Sequence, residues 1–146
     1  NEENGLRGGK AYAKDHAAEL GNHVFAFEAD SGGFPPLGIS FEMKEGTKAE
    51  VLAKVTSRLV EVARLAAPIG VRDVKVGHSG ADVGQMVDGG VVAGGLSTDW
   101  RTYFDYHHTE ADTLDKVDPA ILADGVAASA VIAYVIADMP ERLDAP

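Results

Sequence analysis

Cysteine is absent from the 146 residues. Disulfides and thiolate metal sites are therefore excluded, while the compartment is left open. Basic side chains are scarce as well: 13 Lys and Arg stand against 23 Asp and Glu, for a formal net charge of −10. Phosphate backbones and anionic membrane surfaces both call for clustered positive charge, so neither nucleic acid nor a membrane is expected as a partner. Long apolar runs are also lacking. The longest, Ala127 to Ala137, carries Ser129 and Tyr134 and is too short to span a bilayer. No internal repeat, low-complexity segment or second domain is visible. The chain opens Asn1-Glu2-Glu3-Asn4-Gly5, without an initiating Met or a preceding strand. That opening reads as a piece of a longer protein, so the absence of a targeting segment is uninformative.

What is present suits one soluble globular domain: 45% apolar and 25% charged residues in a length that can bury a core. A helix is expected over residues 5–20, from Leu6, Gly9, Ala13, Ala17 and Leu20, with Gly21 as its stop. Residues 22–29 alternate like a strand, as do 39–43. The strongest helical stripe is Leu52, Val55, Leu59, Val62 and Ala66 within 47–67, where Thr47 and Glu50 form a capping-box pattern. Short strands are expected at 71–76 and, apolar throughout, at 91–96, with a short helix at 82–87 between them. Asp118-Pro119 opens a last helix to about Asp138 that is apolar on most sides and so expected to be largely buried. The alternation predicts an α/β three-layer sandwich with a mixed, largely parallel central sheet flanked by helices. Ligands of such sheets bind beyond the carboxyl ends of the strands. Segments 1–3, 30, 78–82 and 98–113 each follow a strand or suspected strand and are expected to meet on one rim.

Those segments carry the chemistry. Tyr103 to Thr113 (YFDYHHTEADT) packs two histidines, three acids and three aromatics into a stretch without a regular period. Histidine and carboxylate are ligands for zinc-type metals, and the candidates are Glu2, Glu3, Asp30, His107 and His108. A further carboxylate near the metal could serve as general base. Side chains of adjacent Glu2 and Glu3 at a strand end are expected to diverge. Each signal has an ordinary explanation: a solvated Glu pair, an Asp closing its own turn, a hydrogen-bonded His pair.

In order, Asn1-Glu2-Glu3-Asn4-Gly5, Phe27-Glu28-Ala29-Asp30-Ser31-Gly32, Gly80-Ala81-Asp82 and Tyr103 through Thr113 resemble the co-catalytic zinc exopeptidases, the leucyl-type aminopeptidases and especially their carboxypeptidase Q-like branch. The resemblance covers essentially the whole chain and implies that 1–146 is the C-terminal part of a single catalytic domain. It implies Glu2 as general base, Glu3 and His108 as ligands of one zinc, and Asp30 as ligand of the second. His108 is preferred to His107 because Thr109 and Asp112-Thr113 follow it. Asp112 and Thr113 are implied as loop-fixing residues, Asp82 as a pocket-lining aspartate, and His78 as a substrate contact. The loops 30–38 and 94–104 are implied to shape the specificity pocket. A complete site holds two zincs, and its first histidine and bridging aspartate precede the Glu-Glu pair; this piece alone is expected to be inactive. The implied substrate is a short peptide, and the implied partners are the missing N-terminal half and a second copy in a homodimer. The implied location is secreted or periplasmic. The alternatives are a non-catalytic α/β binding module and a single-zinc enzyme like the glutaminyl cyclases.

Overall fold

The computed structural model describes residues 2–145. Four strands form one sheet in the order β1-β4-β2-β3: β1 (Ala26–Glu28), β2 (Pro36–Glu42), β3 (Asp73–Val76) and β4 (Ala93–Thr98). Strands β1 and β4 are parallel, β2 and β3 are parallel, and the two pairs meet antiparallel through β2 and β4. Helices α2 (Ala49–Leu65) and α3 (Pro119–Asp138) pack over one face. Helix α1 (Arg7–Asp15) and the 3₁₀ segment Val83–Gly89 cover the other. Alternation along 91–93, which leads into β4, explains the two cores. Val92 enters the cluster of Phe41, Leu59 and Ile132, while its neighbours Val91 and Ala93 enter the cluster of Leu20, Ala26 and Met86.

Several elements differ from the sequence pattern, each for a local reason. Helix α1 starts only at Arg7, because Gly5 and Leu6 hold φ of 94° and 59°, which a right-handed helix cannot contain. It ends at Asp15, and residues 16–22 continue as turns, with Gly21 inside the 3₁₀ turn Leu20–Asn22. Strand β1 is correspondingly short. The segment 83–89 is a 3₁₀ helix. The capping box does not form: the Thr47 hydroxyl donates to the Lys44 carbonyl at 2.6 Å, and Lys48 is the residue that precedes α2. The stripe of α2 is as expected, with Val55, Leu59, Val62 and Ala66 buried. Asp118 does cap α3, its Oδ1 accepting from Ala120 N at 2.8 Å.

Helix α3 is the larger correction. Only Gly125, Ala128, Ile132 and Ile136 are buried, a single face. Val126 and Tyr134 on the other side are 62% and 72% exposed. The helix is 20 residues long and holds an 18-residue stretch with a mean hydropathy of 2.0, long and apolar enough to cross a membrane by length and composition, although its inner face is seated on the sheet. Beyond it the chain folds back. Leu143 is fully buried, and the Arg58 guanidinium donates to the carbonyls of Arg142, Leu143 and Ala145 at 2.6–3.2 Å.

Sheet direction decides what reaches the site. Because β1 and β4 run the same way, the segments after them, 29–35 and 99–117, leave the sheet at one rim. Strand β3 runs the opposite way and ends at the other rim, so His78 to Asp82 cannot reach the first rim simply by following their strand. They return across the sheet, where Ser79 is buried and lies over Gly95.

Candidate active site

At the rim shared by β1 and β4, a cavity of about 320 Å³ is lined by Glu2, Glu3, Asp30, His107, His108 and Asp112, with Phe34, Tyr103 and Tyr106 as aromatic walls. Glu2 and Glu3 lie on a 3₁₀ turn, Glu2–Asn4, and both line the cavity. A 3₁₀ turn separates neighbouring side chains by less than the half-turn alternation of a strand. Asp30 stands two residues beyond β1.

His108 and Glu3 meet directly, Nε2 to Oε1 at 2.7 Å, across 105 residues of sequence. Both are well exposed, and an exposed pair contributes about 0–1 kcal/mol to stability. His108 also holds φ at 56°, and with Leu6 it is one of two non-glycine residues with positive φ among those described. Such a backbone costs about 1–3 kcal/mol. Stability therefore does not account for His108 being held there. The two strained residues bracket the site, one following the Glu pair and one bearing the imidazole.

An aromatic stack backs His108. Its ring lies 3.7 Å from that of His107, His107 lies 4.5 Å from Tyr103, and Tyr103 lies 4.2 Å from Trp100. His107 thus lines the cavity while buttressing its neighbour, a role that residue type alone did not suggest. The start of this loop is set by Asp99, which accepts from the Arg101 side chain and backbone; these bonds hold its carboxyl below the usual carboxylate range.

The acids of the cavity act on one another. The Glu2 carboxyl lies above its ordinary range, first through partial desolvation and then through the charges of Glu3, Asp30, Asp82 and Glu28. Tyr103 is raised likewise, by desolvation and then by Asp30, Glu3, Asp112 and Glu2. Among the described residues no three His, Asp or Glu side chains converge into a ready metal cluster. The tightest approach is the Glu3–His108 pair, with Asp30 lining the same cavity.

Of the other expected residues, Asp82, His78 and Thr113 fall outside this cavity. Asp82 lies against Gly9 of α1, where an added Cβ would come within 2.9 Å of Asp82 Oδ1. It acts on Glu2 by charge rather than by lining the cavity. His78 lines a second cleft on the far side of Asp30. The Thr113 hydroxyl donates to Asp115 at 2.5 Å and so fixes its own turn, as expected, whereas Asp112 faces the cavity.

Glu28 escaped notice in the sequence. Its carboxylate accepts from the backbone N–H groups of Ala81, Asp82 and Val83 at 3.0–3.1 Å. This clamp brings the returning 78–82 segment to the end of β1. The available signal was strand alternation, which puts Glu28 and Asp30 on one side. Glu28→Ala leaves three partly buried donors without their acceptor. It is expected to cost at least about 1–3 kcal/mol, read as a lower Tm and as faster amide exchange at 79–83.

The sequence profile of peptidase family M28 matches residues 1–135. The chain belongs to that family. Carboxypeptidase Q of Mus musculus is 35% identical over 142 residues, which are 97% of this chain and 28% of that protein. Carboxypeptidase Q of Homo sapiens is 32% identical over the same shares. The crystal structure of a Peptidase M28 precursor from Shewanella amazonensis superposes with a TM-score of 0.85 at 38% identity, covering 100% of this chain and 31% of that one. An aminopeptidase from Aneurinibacillus gives 0.60 at 27% identity, covering 100% and 34%. The chain thus spans about a third or less of each of these M28 relatives. Membership accords with the α/β sandwich and with the family read from the Glu-Glu and His-Thr segments.

Proposed function

We propose that the polypeptide carrying this chain is a zinc-dependent exopeptidase acting on short peptides, and that residues 1–146 form the C-terminal part of its catalytic domain. The observation that carries the reading is the strained His108 meeting Glu3 at 2.7 Å in the cavity that Glu2 and Asp30 also line.

The donor chemistry fits zinc: an imidazole nitrogen and carboxylate oxygens, with no thiolate needed. Glu2, Glu3, Asp30 and Asp112 line the cavity with Lys116, whose ammonium already faces Asp115. A divalent cation offsets that charge. Glu3 and His108 would hold one zinc and Asp30 a second, with the remaining ligands supplied from elsewhere in the polypeptide. Bound zinc supplies Lewis acidity toward a water and the scissile carbonyl. Glu2 takes the proton of the attacking water and returns it to the leaving amine. His107 fixes the plane of the His108 ring, while Phe34, Tyr103 and Tyr106 wall the cavity and limit water around the peptide.

Full-length protein treated with a chelator is expected to lose activity on a panel of aminoacyl substrates and dipeptides, and to regain it with zinc. His108→Ala is expected to lower bound zinc by elemental analysis, a readout independent of turnover. Chelator-insensitive hydrolysis, or unchanged zinc content in His108→Ala, rejects the reading. Ammonia as product would point to cyclase chemistry instead. The same panel decides from which end residues are released. The proposal includes an exported homodimer, tested by solution mass and by fractionation.

A further inference from the structure

The nine residues of α1 cannot hold their own place. Isolated helices shorter than about 12–15 residues are marginal in water. None of the side chains of α1 is buried, and no described side chain caps its start. Its half-buried positions are Gly9 and Ala13, one turn apart. Gly9 lies so close to Asp82 that an added Cβ would come within 2.9 Å of both its carbonyl oxygen and its Oδ1. Ala13 packs with Val83 and Val87 on the cluster of Leu20, Ala26 and Met86. The segment 82–87 is therefore the seat that places α1.

The seat is fixed from the strands. The Glu28 carboxylate, at the end of β1, accepts from the N–H groups of Ala81, Asp82 and Val83 at 3.0–3.1 Å. Hydrogen bonds to an ionised acceptor are about twice as strong as neutral ones. Gly80, at a φ of 140°, passes so near the Glu28 carboxyl that a side chain there would collide with it. Just before it, Ser79 donates to Glu42 of β2.

At its other end α1 runs into the Glu pair through backbone bonds. Lys10 N donates to the Leu6 carbonyl at 2.9 Å, and Leu6 N and Gly5 N donate to the Glu2 carbonyl at 3.0 and 3.1 Å. Glu3 has His108 across the cavity to hold it, whereas Glu2 is placed through this backbone route. We infer that Glu28 is a positioning residue for the reaction, resting on the peptidase reading in which Glu2 is the base. Through Asp82, Gly9 and the start of α1 it sets where the Glu2 carboxylate stands in the cavity. Displacing a reacting group by about 1 Å can cost on the order of 10²-fold in rate.

The test uses the full-length polypeptide. Glu28→Gln keeps the size of the side chain but sets an NH₂ group against the backbone donors. It is expected to lower kcat by about 10–100-fold, with KM and zinc content within about twofold of wild type. Gly9→Val, which forces α1 away from Asp82 without touching Glu28, is expected to do the same and serves where Glu28→Gln folds poorly. Glu42→Gln loosens the same segment at Ser79 and is expected to keep kcat per folded molecule. Wild-type kcat in folded Glu28→Gln or Gly9→Val overturns the inference. So does zinc lost in proportion to kcat, which would tie Glu28 to Asp30 instead. An equal loss of kcat in Glu42→Gln also overturns it, since Glu28 would then be one strut among several. Should the wild type hydrolyse no peptide, the peptidase reading fails separately, and the route is judged by amide exchange at Leu6 and Lys10. Exchange there is expected to quicken by about tenfold or more in Glu28→Gln and Gly9→Val but not in Glu42→Gln. Unchanged exchange at both amides overturns the route itself.

Discussion

Glu2→Gln in the full-length polypeptide is expected to lower kcat by about 10²–10⁴-fold, the usual contribution of a positioned general base. Zinc content and peptide affinity should remain close to wild type. The amide keeps the size and hydrogen-bonding reach of the carboxylate but cannot accept a proton. Loss of an interaction made only in the transition state lowers kcat and kcat/KM together. Glu2 is distinguished from its neighbour by contacts. Glu3 is engaged with His108 at 2.7 Å, while Glu2 lines the same cavity without that partner. Glu3→Gln should therefore show a different signature, with zinc lost along with activity. Steady-state kinetics with elemental analysis of both variants checks the assignment. Full activity in Glu2→Gln, or equal loss of zinc in both, would remove Glu2 from the role.

Phe41→Ala is expected to destabilise the fold by about 3–5 kcal/mol, a large share of the 5–15 kcal/mol that holds a domain together. Phe41 is fully buried near the end of β2, in register with Gly94 of β4 and Val76 of β3. Its cluster joins both helices of that face through Leu59 and Ile132. Removing the ring leaves a cavity that the paired strands cannot close without breaking register. Urea unfolding followed by circular dichroism measures the loss. A cost below about 1 kcal/mol would mean that the ring is not the centre of the core. Loss of activity in this variant would follow from stability, with kcat per folded molecule unchanged, which separates it from Glu2→Gln.

The helical stripe of α2, the proline-opened α3 and the apolar run 91–96 that leads into β4 were legible in the sequence because side-chain period and capping act over a few residues. The same holds for the candidate ligands. Their residue types and order marked the Glu-Glu pair, Asp30 and His108, and these do line one cavity. Failures came where the deciding contact was remote or where the backbone was strained. Nothing local reveals that Gly5 and Leu6 take left-handed φ and delay α1, or that Thr47 prefers the Lys44 carbonyl. The apolar content of α3 suggested burial on most sides, but a single helix can present only one face to one sheet.

Local sequence therefore marked the candidate donors: no cysteine, two glutamates in succession, an aspartate past a strand, and a histidine in an irregular loop. Only the tertiary structure decided which of these meet. The reason lies in strand direction. Parallel β1 and β4 deliver Asp30 and His108 to one rim by their own course, whereas β3, antiparallel to that pair, delivers His78 and Asp82 to the other. Those two come back with a segment that Glu28 holds by three backbone N–H groups across 53–55 residues, a pairing that no periodicity in the chain encodes.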